Sequence, residues 1–139
     1  MYMRILVAID GSENSRRAAE QAAKLAALSP DTFIEMLYVV DFDRTRTDTI
    51  DHTDSDDLHS DRKMRLAPIE GIFEEQKIDY KLVIKHGEPG PTIISFANRG
   101  GFDLIVIGSR GLNSFQEMIL GSVSHKVAKR VTAPVLTVK

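Results

Sequence analysis

The 139-residue chain contains no cysteine, which excludes a disulfide framework, a thiolate metal site and a cysteine nucleophile. It also lacks any long apolar run. The amino end offers Arg4 and then only Ile5 to Ile9, too brief for a signal-peptide core or a bilayer span, so the expected location is the cytoplasm and no membrane is expected as a partner. A strong excess of either charge is missing too: the formal net charge is -2, which gives no electrostatic reason to expect nucleic acid. No Gly-x4-Gly-Lys-Ser/Thr P-loop occurs, and no Gly-x-Gly-x2-Gly dinucleotide fingerprint follows a strand. No general base is poised by a neighbour, and no internal repeat is visible.

What is present is the composition of an ordinary globular protein, with 42% hydrophobic and 27% charged residues. The length fits one domain, residues 1–139, around a single core. Charge is unevenly distributed. Residues 41–61 hold eight aspartates against Arg44 and Arg46, net -6, whereas residues 85–139 hold seven Lys/Arg against Glu88, Asp103 and Glu117, net +4. A small anion would therefore prefer the carboxyl-terminal third.

Five short runs rich in Val, Ile and Leu alternate with segments of helical periodicity, a pattern that predicts an α/β fold with a parallel sheet covered on both faces. The runs are Arg4–Asp10, Phe33–Val40, Tyr80–Lys85, Leu104–Gly108 and Val135–Val138. The first and fourth are apolar at every position from Ile5 to Ile9 and from Leu104 to Ile107, as suits strands buried on both faces at the sheet centre. The first helix is expected from an N-cap at Ser12 or Asn14 to about Ser29, before Pro30, with Ala18, Ala19, Ala22, Ala23, Ala26, Leu25 and Leu28 inward. A second, from about Ser60 to Gln76, would place Met64, Ala67, Ile69, Ile72 and Phe73 near one side, with Pro68 kinking it or delaying its start. The third spans about Pro91 to Arg99, with Ile93, Ile94, Phe96 and Ala97 inward and Gly100-Gly101 ending it. The fourth starts at Ser122 and buries Val123, Val127 and Val131 before Pro134. The acidic stretch from Asp41 to about His59 reads as an irregular, mobile loop.

The chemistry concentrates after the fourth strand, where Gly108-Ser109-Arg110-Gly111 and, nine residues later, Gly121-Ser122 bracket one loop. Residues without Cβ let a ligand approach the main chain and leave N–H groups free to point at phosphate oxygens. The loop ends at a helix amino terminus, where unpaired N–H groups and the helix dipole favour an anion, and Ser122 and Ser124 add hydroxyl donors. A micromolar complex needs about -8 kcal/mol, and each hydrogen bond to a charged group contributes roughly 1.5–3 kcal/mol. Three or four such donors plus a buried adenine would suffice, whereas phosphate contacts alone would not.

The spacing Gly-x2-Gly-x9-Gly-Ser, as Gly108, Gly111, Gly121 and Ser122, resembles the signature of the ATP-binding branch of the universal stress protein family. The likeness extends to the opening Ile5-Leu6-Val7-Ala8-Ile9-Asp10-Gly11-Ser12, to Asp103-Leu104-Ile105-Val106-Ile107-Gly108-Ser109, to Gly121-Ser122-Val123-Ser124 and to the ending Ala133-Pro134-Val135-Leu136-Thr137-Val138. The resemblance implies an open five-stranded parallel sheet in the order 3-2-1-4-5, ATP across the ends of strands one and four, and a homodimer joined through residues 135–138. It implies nucleotide contacts at Ala8, Ile9, Asp10, Val39, Val40, Gly108, Ser109, Gly111, Gly121, Ser122, Val123 and Ser124. Val39 and Val40 would form the apolar wall for adenine. Asp10 would accept a ribose hydroxyl proton or help hold Mg²⁺, which commonly takes one or two carboxylates plus substrate phosphates. Arg110 is assigned to phosphate on charge alone.

Plainer readings stand beside these. A glycine loop before a helix is often only a tight connection, and Asp10 could serve as a turn former after a strand. The aspartates and histidines of residues 41–61 match no EF-hand and read as a solvated loop, His86 as surface, His125 as a bystander, and Met36, Met64 and Met118 as packing residues. As a function, an ATP-binding regulatory module fits these features. The alternatives are a slow ATP-hydrolysing enzyme and a dimeric interaction protein that binds no nucleotide.

Overall fold

The computed structural model describes residues 2–41, 55–110 and 121–139, with only the backbone course for 55–62. Among them, strands β1 (Arg4–Ile9), β2 (Phe33–Val40), β3 (Tyr80–His86), β4 (Leu104–Gly108) and β5 (Val135–Val138) alternate with helices α1 (Glu13–Ala26), α2 (Ser55–Glu75), α3 (Pro89–Arg99) and α4 (Ser122–Arg130). All neighbouring strands run parallel, in the order β3-β2-β1-β4-β5. β1 lies at the centre, with Val7 opposite Met36 of β2 on one side and Val106 of β4 on the other. The two all-apolar runs occupy the interior of the sheet, as a strand buried on both faces requires.

Alternation along the strands divides the core into two layers. Ile5, Val7 and Ile9 of β1 pack with the alanine face of α1 and with Leu66, Ile69 and Phe73 of α2. Leu6 and Ala8 face the other way, against Ile93 and Ala97 of α3 and Val127 of α4. Each large aliphatic or aromatic side chain taken from water in this way contributes on the order of 1.5–3 kcal/mol.

Several boundaries differ from the expectations. α1 begins at the Ser12 cap, whose hydroxyl accepts the Ser15 N–H at 3.1 Å, but it ends at Ala26. There the Leu28 and Ser29 N–H groups turn back to the carbonyls of Leu25 and Ala26, a tightening common at helix ends. Leu28 is thereby released from the buried face and is 73% exposed. α2 begins at Ser55, inside the stretch expected to be irregular. Residues 42–54 lie outside the described residues. The buried positions of α2 are Leu66, Ile69 and Phe73, whereas Met64 is 76% exposed and Ala67 is exposed. Met64 therefore does not pack. Pro68 sits inside the helix on the exposed side, and its missing N–H leaves the Met64 carbonyl without that helical partner. α3 starts two residues before Pro91, with Pro89 in its first turn.

The amino-terminal end of the sheet is pinned by charge. Asp103 accepts the N–H groups of Met3 and Arg4, both at 2.9 Å. The Arg4 guanidinium reaches the buried Glu35 at 3.0 Å, bonds the Gly100 carbonyl and lies 4.7 Å over the Phe102 ring. Lys81 stands 3.7 Å from the same Glu35 oxygen. A buried carboxylate is tolerated because it is paired. This arrangement fixes the amino-terminal end of the sheet.

Candidate functional site

At the carboxyl ends of β1 and β4 the chain leaves the sheet toward opposite faces, since α1 packs on one layer and α4 on the other. Ligands of open α/β sheets bind at such a reversal. The first wall of this crevice is the turn after β1. Asp10 accepts the Ser12 N–H at 2.8 Å, and Gly11 between them has φ +82, a left-handed conformation that costs a residue with Cβ about 1–2 kcal/mol. The turn-forming role of Asp10 is therefore realised through one carboxylate oxygen. Ala8 and Ile9 are buried in the sheet, so Asp10 is the first residue of this segment to reach the rim.

The second wall is the junction of β4 with α4. Gly108 lies so close to α1 that a Cβ there would stand 2.9 Å from the Asn14 carbonyl carbon and 3.0 Å from its oxygen. The absence of a side chain at Gly108 thus has a packing cause: it lets the first turn of α1 rest on the end of β4. Ser109 is buried, and its main chain is committed internally. Its N–H donates to the Val138 carbonyl and its carbonyl accepts the Gly121 N–H, both at 2.7 Å. Its hydroxyl stands 3.5 Å from the Asn14 amide nitrogen.

α4 opens on Gly121, in an extended conformation and with no side-chain cap. The first bond within the helix runs from the His125 N–H to the Gly121 carbonyl at 2.9 Å, so the N–H groups of Ser122, Val123 and Ser124 have no partner within the helix. The expected hydroxyl pair is reduced to one. Ser124 is only 3% exposed and its hydroxyl donates to the Gly108 carbonyl at 2.6 Å, which uses its single proton. Ser122 is exposed and its side chain remains on the open side. Of the basic residues of α4, Lys129 and Arg130 occupy its last turn, where they complement the dipole.

The remaining expected residues are distributed as follows. Val39 and Val40 end β2 but face opposite layers: Val39 is half-buried with the α3–α4 cluster, and Val40 is buried on the α1–α2 side. Arg110 follows Ser109 and is half-buried. Gly111 lies outside the described residues. His86 and His125 are exposed. Among the described residues, no group of three or more His, Asp or Glu side chains is placed to hold a metal ion, and no helix is long and apolar enough to cross a membrane.

Two residues at the site are not expected there from the sequence, which marks Asn14 only as a possible N-cap. Asn14 touches both Gly108 and Ser109. Arg65 of α2 lays its aliphatic stem over Gly11, with Cγ and Cδ 2.4 Å from where a Cβ would stand. Neither belongs to a recognisable motif; only the register of α1 and α2 brings them there.

The model of the universal stress protein family matches residues 1–139 of the chain. The chain belongs to the universal stress protein family. A curated relative, universal stress protein YxiE of Bacillus subtilis, is 34% identical over 149 aligned positions that cover 100% of both chains. The solved structure of MJ0577, a universal stress protein of Methanocaldococcus jannaschii, superposes with a TM-score of 0.86 at 29% identity, covering 100% of this chain and 96% of that one. A universal stress protein solved in complex with cAMP shares the fold at a TM-score of 0.74 and 24% identity, covering 99% and 97%. The universal stress protein fold, with strand order 3-2-1-4-5, is thus shared across the whole chain.

Proposed function

We propose that the protein is an ATP-binding regulatory protein of the stress response, acting in the cytoplasm, that holds the nucleotide phosphates at the amino end of α4. The observation that carries this reading is the uncapped first turn of α4. Three main-chain N–H groups without helical partners and the exposed Ser122 face the end of β4, at the reversal of the sheet. Solved structures of this fold with cAMP, dAMP and AMP give it support from outside the chain. Adenine would lie against Val39. Asp10, with one oxygen committed to Ser12, would offer the ribose or a magnesium ion the rest of its carboxylate, and magnesium brought by the nucleotide needs no more than one or two protein carboxylates. The assignment includes Arg110 and Gly111 as phosphate contacts, and a homodimer joined through β5.

The test is a titration of Mg·ATP by calorimetry against wild type and Gly121→Leu. The φ of Gly121 is -66, a backbone that any residue adopts, so the variant closes the approach to α4 without imposing a left-handed strain. Wild type is expected to bind with micromolar affinity and the variant to lose it, with an unchanged circular dichroism spectrum. Equal affinities in the two proteins would refute the placement of the phosphates.

A further inference from the structure

Arg65 is a cation that the site described above does not use. It is exposed, it makes no ion pair or hydrogen bond among the described residues, and its place is set by its neighbours. Leu66, Ile69 and Phe73 of the same helix are buried in the layer that also holds Ile9 of β1. This anchors α2 and carries the adjoining Arg65 over the turn that follows β1. The stem then lies on bare main chain: Cγ and Cδ stand 2.4 Å, and Nε 3.6 Å, from the position a Cβ of Gly11 would take. Any other residue at 11 would displace it. Gly11 thus answers two demands at once, a φ of +82 and a slot for the arginine.

Arg65 brings a cation to the turn after β1, the first wall of the crevice. Guanidinium groups bind phosphate through paired N–H donors in a fixed plane, and a stem already packed on Gly11 has less rotamer freedom to lose on binding.

We infer that Arg65 is a phosphate-recognising residue of the nucleotide site, an arm from α2 seated in the Gly11 slot that contacts the anionic part of the ligand. This rests on the reading of the site as nucleotide-binding and adds to it a discriminating element: affinity contributed by Arg65 rises with the number of phosphates.

The experiment compares wild type, Arg65→Ala and Arg65→Lys by calorimetry with adenosine, AMP and Mg·ATP at two salt concentrations, with thermal melts as a check on folding. In Arg65→Ala, ATP affinity is expected to fall roughly 10- to 100-fold, the range of a hydrogen bond to a charged group, AMP affinity less, and adenosine affinity less than twofold. Arg65→Lys should recover part of the loss, since it keeps the charge and loses the planar fork. The loss should shrink at high salt. If wild type binds ATP and Arg65→Ala binds it equally well, the role of Arg65 is overturned while the site stands. An equal loss for adenosine and ATP would move Arg65 to the base or ribose and overturn the phosphate assignment. If wild type binds none of the three ligands, the nucleotide reading itself fails and this one with it.

Discussion

Replacing Gly108 by alanine tests whether its missing side chain serves the fold. A Cβ there would meet the Asn14 carbonyl carbon and Cβ at 2.9 Å, closer than Cβ contacts allow, and the Asn14 oxygen at a tight 3.0 Å. Two of these three atoms are main chain, in the first turn of α1, so no rotamer change relieves them. Either α1 lifts from the end of β4 or the strand end bends. Overpacking of this kind costs about 1–3 kcal/mol, which for a chain of this length lowers the melting temperature by roughly 3–10 °C. Gly71 in α2 is the internal control, because a Cβ added there meets nothing within 4 Å. Gly71→Ala should gain about 0.5–1 kcal/mol from the reduced freedom of the unfolded chain and the better helix former. Urea denaturation of both variants, read by circular dichroism, measures the two effects in opposite directions. A Gly108→Ala protein as stable as wild type, or two variants shifting the same way, would refute the packing argument and return Gly108 to the ligand alone.

Two further outcomes follow from the geometry. The carboxyl of Asp103 is held below the ordinary aspartate range by the N–H groups of Arg4 and Met3. A group depressed in the folded state contributes stability above its unfolded pKa, near 3.9, and loses that contribution as pH falls through its lower folded value. Asp103→Asn should therefore lower the urea midpoint at pH 7, with the gap to wild type closing in acid; a gap independent of pH would count against the charge. For the proposed dimer, the register of β5 on β4 turns the Thr137 N–H away from β4 to the outer edge, and Thr137→Pro removes it without breaking the β4–β5 ladder. Sedimentation should show the variant as monomer where wild type is dimer, and identical profiles would remove β5 as the joint.

The sheet was legible because its strands obey a simple rule: Ile5–Ile9 and Leu104–Ile107 are apolar throughout, and both are interior. Helix α1 was legible for the same kind of reason, its alanines recurring at helical spacing on one face. α2 was legible only in part: Ile69 and Phe73 are buried as expected and Ile72 packs beside them, but Met64 and Ala67 are exposed and Leu66, which the sequence did not single out, joins the core through packing against β1 and α1. Pro68 misled in a related way. A proline is costly in a helix interior, yet Pro68 lies on the exposed side of α2 and does not end it. At the site, the loop glycines marked the right place, but the division of labour was invisible. Ser124 looks like Ser122 in sequence, yet one hydroxyl is consumed by Gly108. Arg65 carries no motif, being some fifty residues from Gly11 and joined to it only by the way α2 packs.

The bonds at Ser109 have a mechanical result. The last peptide of β5 grips the Ser109 amide, and the opposite side of the same residue grips Gly121. Edge strand β5, the end of its neighbour β4 and the start of α4 are thereby linked in series by two short bonds. Fraying of the final residues would slacken the three amides offered to an anion, so exchange of the Ser109 and Gly121 protons should keep pace with the loosening of the tail.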